Sequence, residues 1–186
     1  SMPAATQRKI GSQPYPSSTS CREPERREPR TKGVPANRAL LVADIENLMG
    51  GPFTGHTALR AALRSMREVA HLRPTDHVIL GCNPRLASEV ALLKEAPRLV
   101  VRQGPDGADL ALLETIADYR WIAARYDRVI IGSGDGIFAF AAAQLVNLGI
   151  TVGVVARKES LSGALANKAT YVRLLPPPFV GLQLVA

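Results

Sequence analysis

The sequence is poor in cysteine. Cys21 and Cys82 are the only two cysteines among 186 residues, which excludes a disulfide-stapled scaffold and a zinc site built from cysteines. A chain of this length forms one domain of ordinary size. So few cysteines are typical of a reducing compartment, and the sequence predicts a cytoplasmic protein.

Long apolar runs and aromatic side chains are also scarce. No stretch approaches the roughly 18 consecutive apolar residues that a membrane-spanning helix needs, so we expect a soluble protein with no membrane partner. Phe, Trp and Tyr make up only 5% of the chain, too little for a surface on which several nucleic-acid bases stack.

Positive charge is present in excess. The chain carries 23 Lys and Arg against 16 Asp and Glu, a net charge of +7, which favours a polyanionic partner, nucleic acid first. Residues 1–37 contain seven of the basic residues and three of the acidic ones, and they are rich in Pro, Ser, Gln and Arg. Such a segment cannot bury enough apolar surface to order itself. The sequence therefore predicts a disordered basic N-terminal arm over 1–37 and one folded domain over 38–186.

Strand and helix patterns alternate from Arg38 onward. Short apolar runs predict strands, and apolar residues at helical spacing predict the helices between them. The predicted strands are 39–43, 77–82, 99–102, 128–132, 150–155 and 171–175, and the predicted helices are 57–72, 85–95, 108–124 and 137–148. This alternation is typical of the α/β class. We expect a three-layer α/β/α sandwich with a central parallel sheet of five or six strands.

Acidic residues follow two of the predicted strands. Asp44 comes directly after the first strand and Asp135 after the fourth, while Asp109 lies at the start of the helix before the fourth strand. Ligands of an open parallel sheet bind beyond the carboxyl ends of the strands, where the strand order reverses. If the first and fourth strands are neighbours there, the three carboxylates share one crevice. Mg²⁺ or Mn²⁺ is the cation that such oxygen ligands hold.

Each of these residues also has a purely structural explanation. Asp and Asn at strand ends commonly form turns or cap helices, and the position of Asp109 is typical of a helix start. Asp106 belongs to a Pro-Asp-Gly sequence and is expected to be only a turn residue. The predicted metal site therefore depends on the joint pattern, in which two strands deliver an aspartate to one edge of the sheet.

Three motifs of the sequence resemble those of NYN domains of the PIN-like nuclease superfamily. They are Asp44-x-x-Asn47, Gly107-Ala-Asp109 and Ser133-Gly134-Asp135-Gly136, in the family's order, and the resemblance covers about residues 38–176. The resemblance implies a PIN-like fold and hydrolysis of single-stranded or structured RNA. It implies that Asp44, Asp109 and Asp135 are catalytic and hold Mg²⁺ or Mn²⁺. It also implies that Asn47 orients the first motif and that Ser133 supports the metal or its water.

Two departures from the family pattern favour an alternative. Ile137 stands where many relatives have a second acid, and the Lys that many carry before the Gly-x-Asp motif is missing. Glu114 is on the same predicted helix as Asp109, but five positions apart the two side chains point about 140° away from each other. The alternative is a catalytically degenerate module that binds RNA or a protein partner without cutting.

Basic residues follow the fifth strand at the same predicted edge. We expect Arg157, Lys158 and Ser160 to contact substrate phosphates, because loops at this edge meet the ligand. A second basic group, formed by Arg60, Arg64 and Arg67, shares one face of a predicted helix. These three arginines lie opposite the apolar stripe of that helix and are expected to face solvent.

A third hypothesis is a nucleotide-binding domain. Gly132-x-Gly134-x-Gly136 is similar to the glycine motif of dinucleotide-binding proteins, but its last glycine is missing and Asp135 would repel a pyrophosphate. This hypothesis is therefore the weakest of the three. Oligomeric state stays open, with a homodimer among the alternatives.

Overall fold

The computed structural model describes residues 38–50, 55–93 and 97–177. Within these ranges the strands are β1 (Ala39–Asp44), β2 (His77–Cys82), β3 (Arg98–Val101), β4 (Arg128–Gly132), β5 (Thr151–Ala156) and β6 (Tyr171–Leu174). The α-helices are α1 (Ile45–Met49), α2 (His56–Val69), α3 (Pro84–Ala91), α4 (Gly107–Thr115), α5 (Tyr119–Arg125), α6 (Ala139–Asn147) and α7 (Gly163–Ala166). Short 3-10 helices occupy Gly136–Phe138 and Lys158–Ser160. The predicted N-terminal arm, residues 1–37, lies outside the described residues.

All six strands belong to one parallel sheet. Their order is β3-β2-β1-β4-β5-β6, so the direction of winding reverses between β1 and β4. Helices cover both faces of the sheet. The predicted fold class, an α/β sandwich with a central parallel sheet, is therefore confirmed, and the first and fourth strands are neighbours as the site prediction required.

The central strand β1 contributes to the apolar core on both faces of the sheet. Leu40 and Val42 belong to a cluster that includes residues of α4, α5, α6 and α7. Leu41 and Ala43 belong to a second cluster, which includes residues of α1, α2 and α3. Because successive residues of a strand point to opposite faces, an unbroken apolar run supplies both layers. This burial holds the end of β1, and with it Asp44, in a fixed position.

One predicted helix is wrong. The helix predicted over 108–124 is two helices, α4 and α5, and the chain turns between them at residues 116–118. The side chain of Asp118 accepts a hydrogen bond from the backbone N–H of Trp121 at 2.9 Å and so caps α5. Apolar spacing continued across this break and hid it. None of the helices in the described ranges is both long and apolar enough to cross a membrane.

Candidate functional site

A cavity of about 590 Å³ lies at the carboxyl ends of β1 and β4. Ala43 of β1 is paired with Gly132 of β4, so the residues that follow the two strands come out side by side at the reversal of strand order. The cavity is lined by six carboxylates, those of Asp44, Glu46, Asp106, Asp109, Asp135 and Glu159. Its wall is thus strongly acidic, although the chain as a whole is basic.

Three of these aspartates lie close enough to share one cation. Asp106, Asp109 and Asp135 each offer a carboxylate oxygen, and the three oxygens lie within 4.8 Å of one another. Asp109 is only 4% exposed, and its Oδ1 atom is buried without a hydrogen-bond partner among the described residues. Burial first, and then the charges of Asp44 and Asp135, raise the pKa of Asp109 to about 7. Both causes disfavour the ionised form of this carboxyl group.

Asp44 lines the same cavity but is not a member of this close group. Its Oδ1 atom accepts a hydrogen bond from the backbone N–H of Glu46 at 2.9 Å, which caps α1. Its Oδ2 atom accepts one from Nδ2 of Asn47 at 3.5 Å. Burial raises the pKa of Asp44, and the hydrogen bond from Glu46 opposes that effect. The structure therefore gives Asp44 a capping role in addition to its place in the cavity wall.

Asp106 belongs to the close group, although the predicted metal ligands, Asp44, Asp109 and Asp135, did not include it. The prediction of a turn residue is right about its backbone, which has φ of +54° immediately before α4. However, its side chain makes no capping hydrogen bond and is one of the three close carboxylates. A Pro-Asp-Gly sequence indicates only the turn, so nothing in the sequence distinguished this additional position.

A buried serine joins the motifs of β1 and β4. Oγ of Ser133 accepts hydrogen bonds from Nδ2 of Asn47 at 3.0 Å and from the backbone N–H of Asp135 at 3.2 Å. Ser133 is 1% exposed, so it reaches the acidic group through Asp135 and not through a direct contact with the cavity. Asn47 itself lines the cavity. The resemblance implies that Asn47 orients the first motif and that Ser133 supports the metal or its water. The two side chains are hydrogen-bonded to each other.

The segment after β4 carries Asp135 close to the loop after β5. Oδ1 of Asp135 accepts a hydrogen bond from the backbone N–H of Ile137 at 2.9 Å and caps the 3-10 helix there. Gly134 permits this approach, because a Cβ atom at this position would lie 2.3 Å from the carbonyl oxygen of Ser160. The side chain of Ile137 packs against the apolar core and brings no carboxylate to the site.

Arg157, predicted to contact a phosphate, lines the acidic cavity and also has structural partners. Arg157 is 8% exposed, and burial lowers the pKa of its guanidinium. Its Nη2 atom donates to the carbonyl oxygen of Leu48 at 2.7 Å, and its Nη1 atom donates to that of Pro176 at 2.8 Å. Gly50, with φ of +66°, makes room for it, since a Cβ atom there would lie 2.2 Å from Nε. Arg157 therefore ties the end of α1 to the segment after β6.

Lys158 and Ser160 lie in the exposed 3-10 helix after β5. Ser160 lines the acidic cavity and Lys158 does not.

Two residues of the cavity wall, Arg102 and Asn83, were not predicted from the sequence. Nη1 of Arg102 donates to Oε1 of Glu114 at 2.5 Å, and Glu114 is outside the acidic group, as its rotation on the helix predicted.

Comparison with known proteins identifies a shared fold. No known protein family matches the chain in sequence, and no curated protein matches it either. Among solved structures, a protein of unknown function from Vibrio parahaemolyticus is similar, with a TM-score of 0.52 and 18% sequence identity. The match covers 79% of this chain and 98% of that chain. At this identity the similarity shows the fold alone.

Proposed function

We propose that the protein is a metal-dependent ribonuclease that hydrolyses phosphodiester bonds at the acidic cavity. The observation that carries the proposal is the buried, unpartnered Oδ1 atom of Asp109, which lies close to two further carboxylates in an open cavity. An unpaired buried carboxylate oxygen destabilises the fold unless something binds it. A divalent cation satisfies both the oxygen and the negative charges around it.

The donor set fits Mg²⁺ or Mn²⁺. All donors are oxygens, the type that these cations prefer, whereas zinc and copper sites use His and Cys. Asp106, Asp109 and Asp135 would hold the ion, and Asp44 lies near enough to raise the pKa of Asp109 by its charge. When bound, the ion makes a coordinated water more acidic and neutralises charge on a phosphate.

The chain's own residues supply positioning. Ser133 fixes Asn47 and the backbone of Asp135 relative to each other. Arg157 holds the end of α1 and so keeps the Asp44–Asn47 segment in place. Ser160, on the cavity wall, donates its hydroxyl to the carbonyl oxygen of Arg157 at 3.3 Å and would exchange that bond for one to a phosphate oxygen. Lys158 adds positive charge beside it.

RNA is the proposed substrate on two grounds. The motifs around Asp44, Asp109 and Asp135 resemble those of NYN domains, for which RNA cleavage is expected. The chain's net charge of +7 also attracts a polyanion in spite of the acidic cavity. The proposal includes a cytoplasmic location, which accords with the free, buried thiol of Cys82.

A non-cutting RNA-binding module is the second candidate. Two observations favour it: each oxygen of Asp44 already accepts one local hydrogen bond, and Ile137 brings an apolar side chain where a further acid is expected. In this case the acidic group could still bind a cation, but RNA would be bound without turnover.

Cleavage of labelled RNA in Mn²⁺, compared with EDTA, tests the proposal. Asp118→Asn is the matched control, because it removes an exposed carboxylate outside the cavity and keeps an oxygen that can cap α5. We expect the native chain and the control to cleave RNA. The cleavage rate of Asp109→Asn should fall by more than the roughly 10- to 100-fold that follows when a residue supporting a metal ligand is replaced. Cleavage that persists in EDTA or in Asp109→Asn contradicts the proposal. RNA binding without cleavage over a broad panel favours the second candidate.

A further inference from the structure

A second cavity of about 250 Å³ lies between α2 and the face of the sheet that carries α1, α2 and α3. Its apolar lining comes from both strands and helices: Leu41 of β1, Val78 and Leu80 of β2, Leu63 of α2, and Leu93 and Pro97 between α3 and β3. The volume is just below the roughly 300–1,000 Å³ of typical small-molecule sites. It therefore suits a ligand smaller than most drugs.

Three arginines of α2 line the same cavity. Arg60, Arg64 and Arg67 are spaced four and then three residues apart, so they form one row along the helix. Arg60 and Arg64 are exposed, as the sequence predicts, whereas Arg67 is half-buried, and the row borders an apolar cavity. Neither the side chain of Arg60 nor that of Arg64 makes a hydrogen bond or ion pair with another described residue.

The composition of the lining specifies the chemistry of a ligand. Apart from the arginines, the described lining residues are all apolar, so they offer no side chain that reads the hydrogen-bonding edge of a nucleobase. The backbone of β1 and β2 beneath the cavity is already paired, with Leu41 opposite Val78. An apolar floor with guanidinium groups at the edge matches a molecule with a hydrocarbon body and an anionic head.

We propose that this cavity binds a small anionic amphiphile, with its hydrocarbon chain against the half-buried Leu63, Val78 and Pro97 and its carboxylate or phosphate head at Arg60 and Arg64. Arg67 already interacts elsewhere in the chain, and the proposal does not depend on it. Among the described residues, none lines both this cavity and the acidic cavity. Binding here is therefore independent of the proposed nuclease function, and either can fail without the other.

Calorimetric titration of the full chain with butanoate, hexanoate and octanoate tests the hydrocarbon site. Each added methylene that becomes buried tightens binding about fourfold, so octanoate should bind well over tenfold more tightly than butanoate. Leu63→Trp, which fills the cavity, should abolish the dependence on chain length. Octyl phosphate in place of octanoate shows which anionic head is preferred.

The arginines are tested separately from the apolar floor. Arg60→Gln and Arg64→Gln together should weaken octanoate binding at least about tenfold, as expected for loss of charge-assisted hydrogen bonds. Arg120→Gln on α5 is the control, since it removes an exposed arginine outside the cavity. The proposal is wrong if the affinity does not depend on chain length. It is also wrong if octanoate binds with unchanged affinity both to Leu63→Trp and to the double arginine variant. If RNA binding falls in the arginine variants while octanoate does not bind at all, the row is a phosphate-contacting surface and the proposal is wrong.

Discussion

At the scale of single residues, Asp109 is the one on which the acidic cavity depends most. Its carboxyl group is buried close to two other aspartates, and one of its oxygens has no donor among the described residues. Ionising such a group in the folded chain is unfavourable because water is excluded and the neighbours carry like charge. The metal-free protein is therefore destabilised to an extent that depends on pH.

Asp109→Asn should stabilise the metal-free protein at high pH and leave it nearly unchanged near pH 4. The pKa of Asp109 is raised from 3.8 to about 7, so between these values the folded chain holds a proton that the unfolded chain has lost. The free energy of unfolding of the native protein should fall as pH rises from about 4 to 7 and stay low above that. One pKa unit corresponds to about 1.4 kcal/mol. Urea denaturation in EDTA above pH 7 should therefore give Asp109→Asn a free energy of unfolding that exceeds the native one by a few kcal/mol at most.

Asp118→Asn provides the comparison for this pH profile. If both variants follow the native profile, the carboxyl group of Asp109 is not the source of the pH dependence. Addition of Mn²⁺ above pH 7 should raise the Tm of the native protein, because the ion binds only the folded state. The Tm of Asp109→Asn should rise much less.

The sequence identified two of the three close aspartates. Asp109 and Asp135 were recognisable because each stands at the start of a helix near a predicted strand edge. Asp44 stands at a strand end too, but local hydrogen bonds from Glu46 and Asn47 occupy its oxygens. Asp106 was recognised only as a turn residue, since its proximity to Asp135 depends on how α4 packs and not on any local pattern.

At the scale of elements, the strands were predicted to within one residue at each end, and the helices less accurately. Every strand is a short apolar run in a sheet covered on both faces, which is a strong local signal. Helices α1 and α7 have five and four residues, too few to show helical periodicity. The break before α5 was hidden because apolar residues continue at helical spacing on both sides of Asp118.

Asp118→Ala should destabilise the protein by about 1 kcal/mol through loss of the cap of α5. Trp121 is the chain's only tryptophan, and the guanidinium carbon of Arg125 lies 4.0 Å from the centre of its ring. Its fluorescence therefore reports directly on fraying of α5. Urea denaturation followed by this fluorescence should show the loss of stability for Asp118→Ala and not for Asp118→Asn. Equal behaviour of the two variants contradicts a capping role.

At the scale of the whole molecule, positive charge is divided between two parts of the sequence. Residues 1–37 hold seven basic and three acidic residues, and the remaining 149 residues hold 16 basic and 13 acidic ones. Residues 38–186 thus combine a small net positive charge with a cavity wall of six carboxylates. Attraction of RNA and chemistry at the acidic group are expected to depend on different segments.

Deletion of residues 1–37 should weaken RNA binding at low salt and flatten its salt dependence. For single strands, the slope of log affinity against log salt becomes shallower by about 0.7 for each phosphate that the protein no longer neutralises. Replacing Arg26, Arg27 and Arg30 with Gln keeps the length of the segment and should give an intermediate slope. Filter binding over a salt series measures both slopes. An unchanged slope in the truncated chain contradicts a contribution of this segment to RNA binding.

The close carboxylates come from segments far apart in the chain, which has a consequence for biosynthesis. Asp106 and Asp109 lie at the start of α4 and Asp135 follows β4, and the edge on which they meet exists only after β4 has paired with β1. A nascent chain on the ribosome therefore lacks the assembled group until at least residue 135 has been translated. Under the proposed nuclease function, this order of assembly spares the message from which the chain is being made.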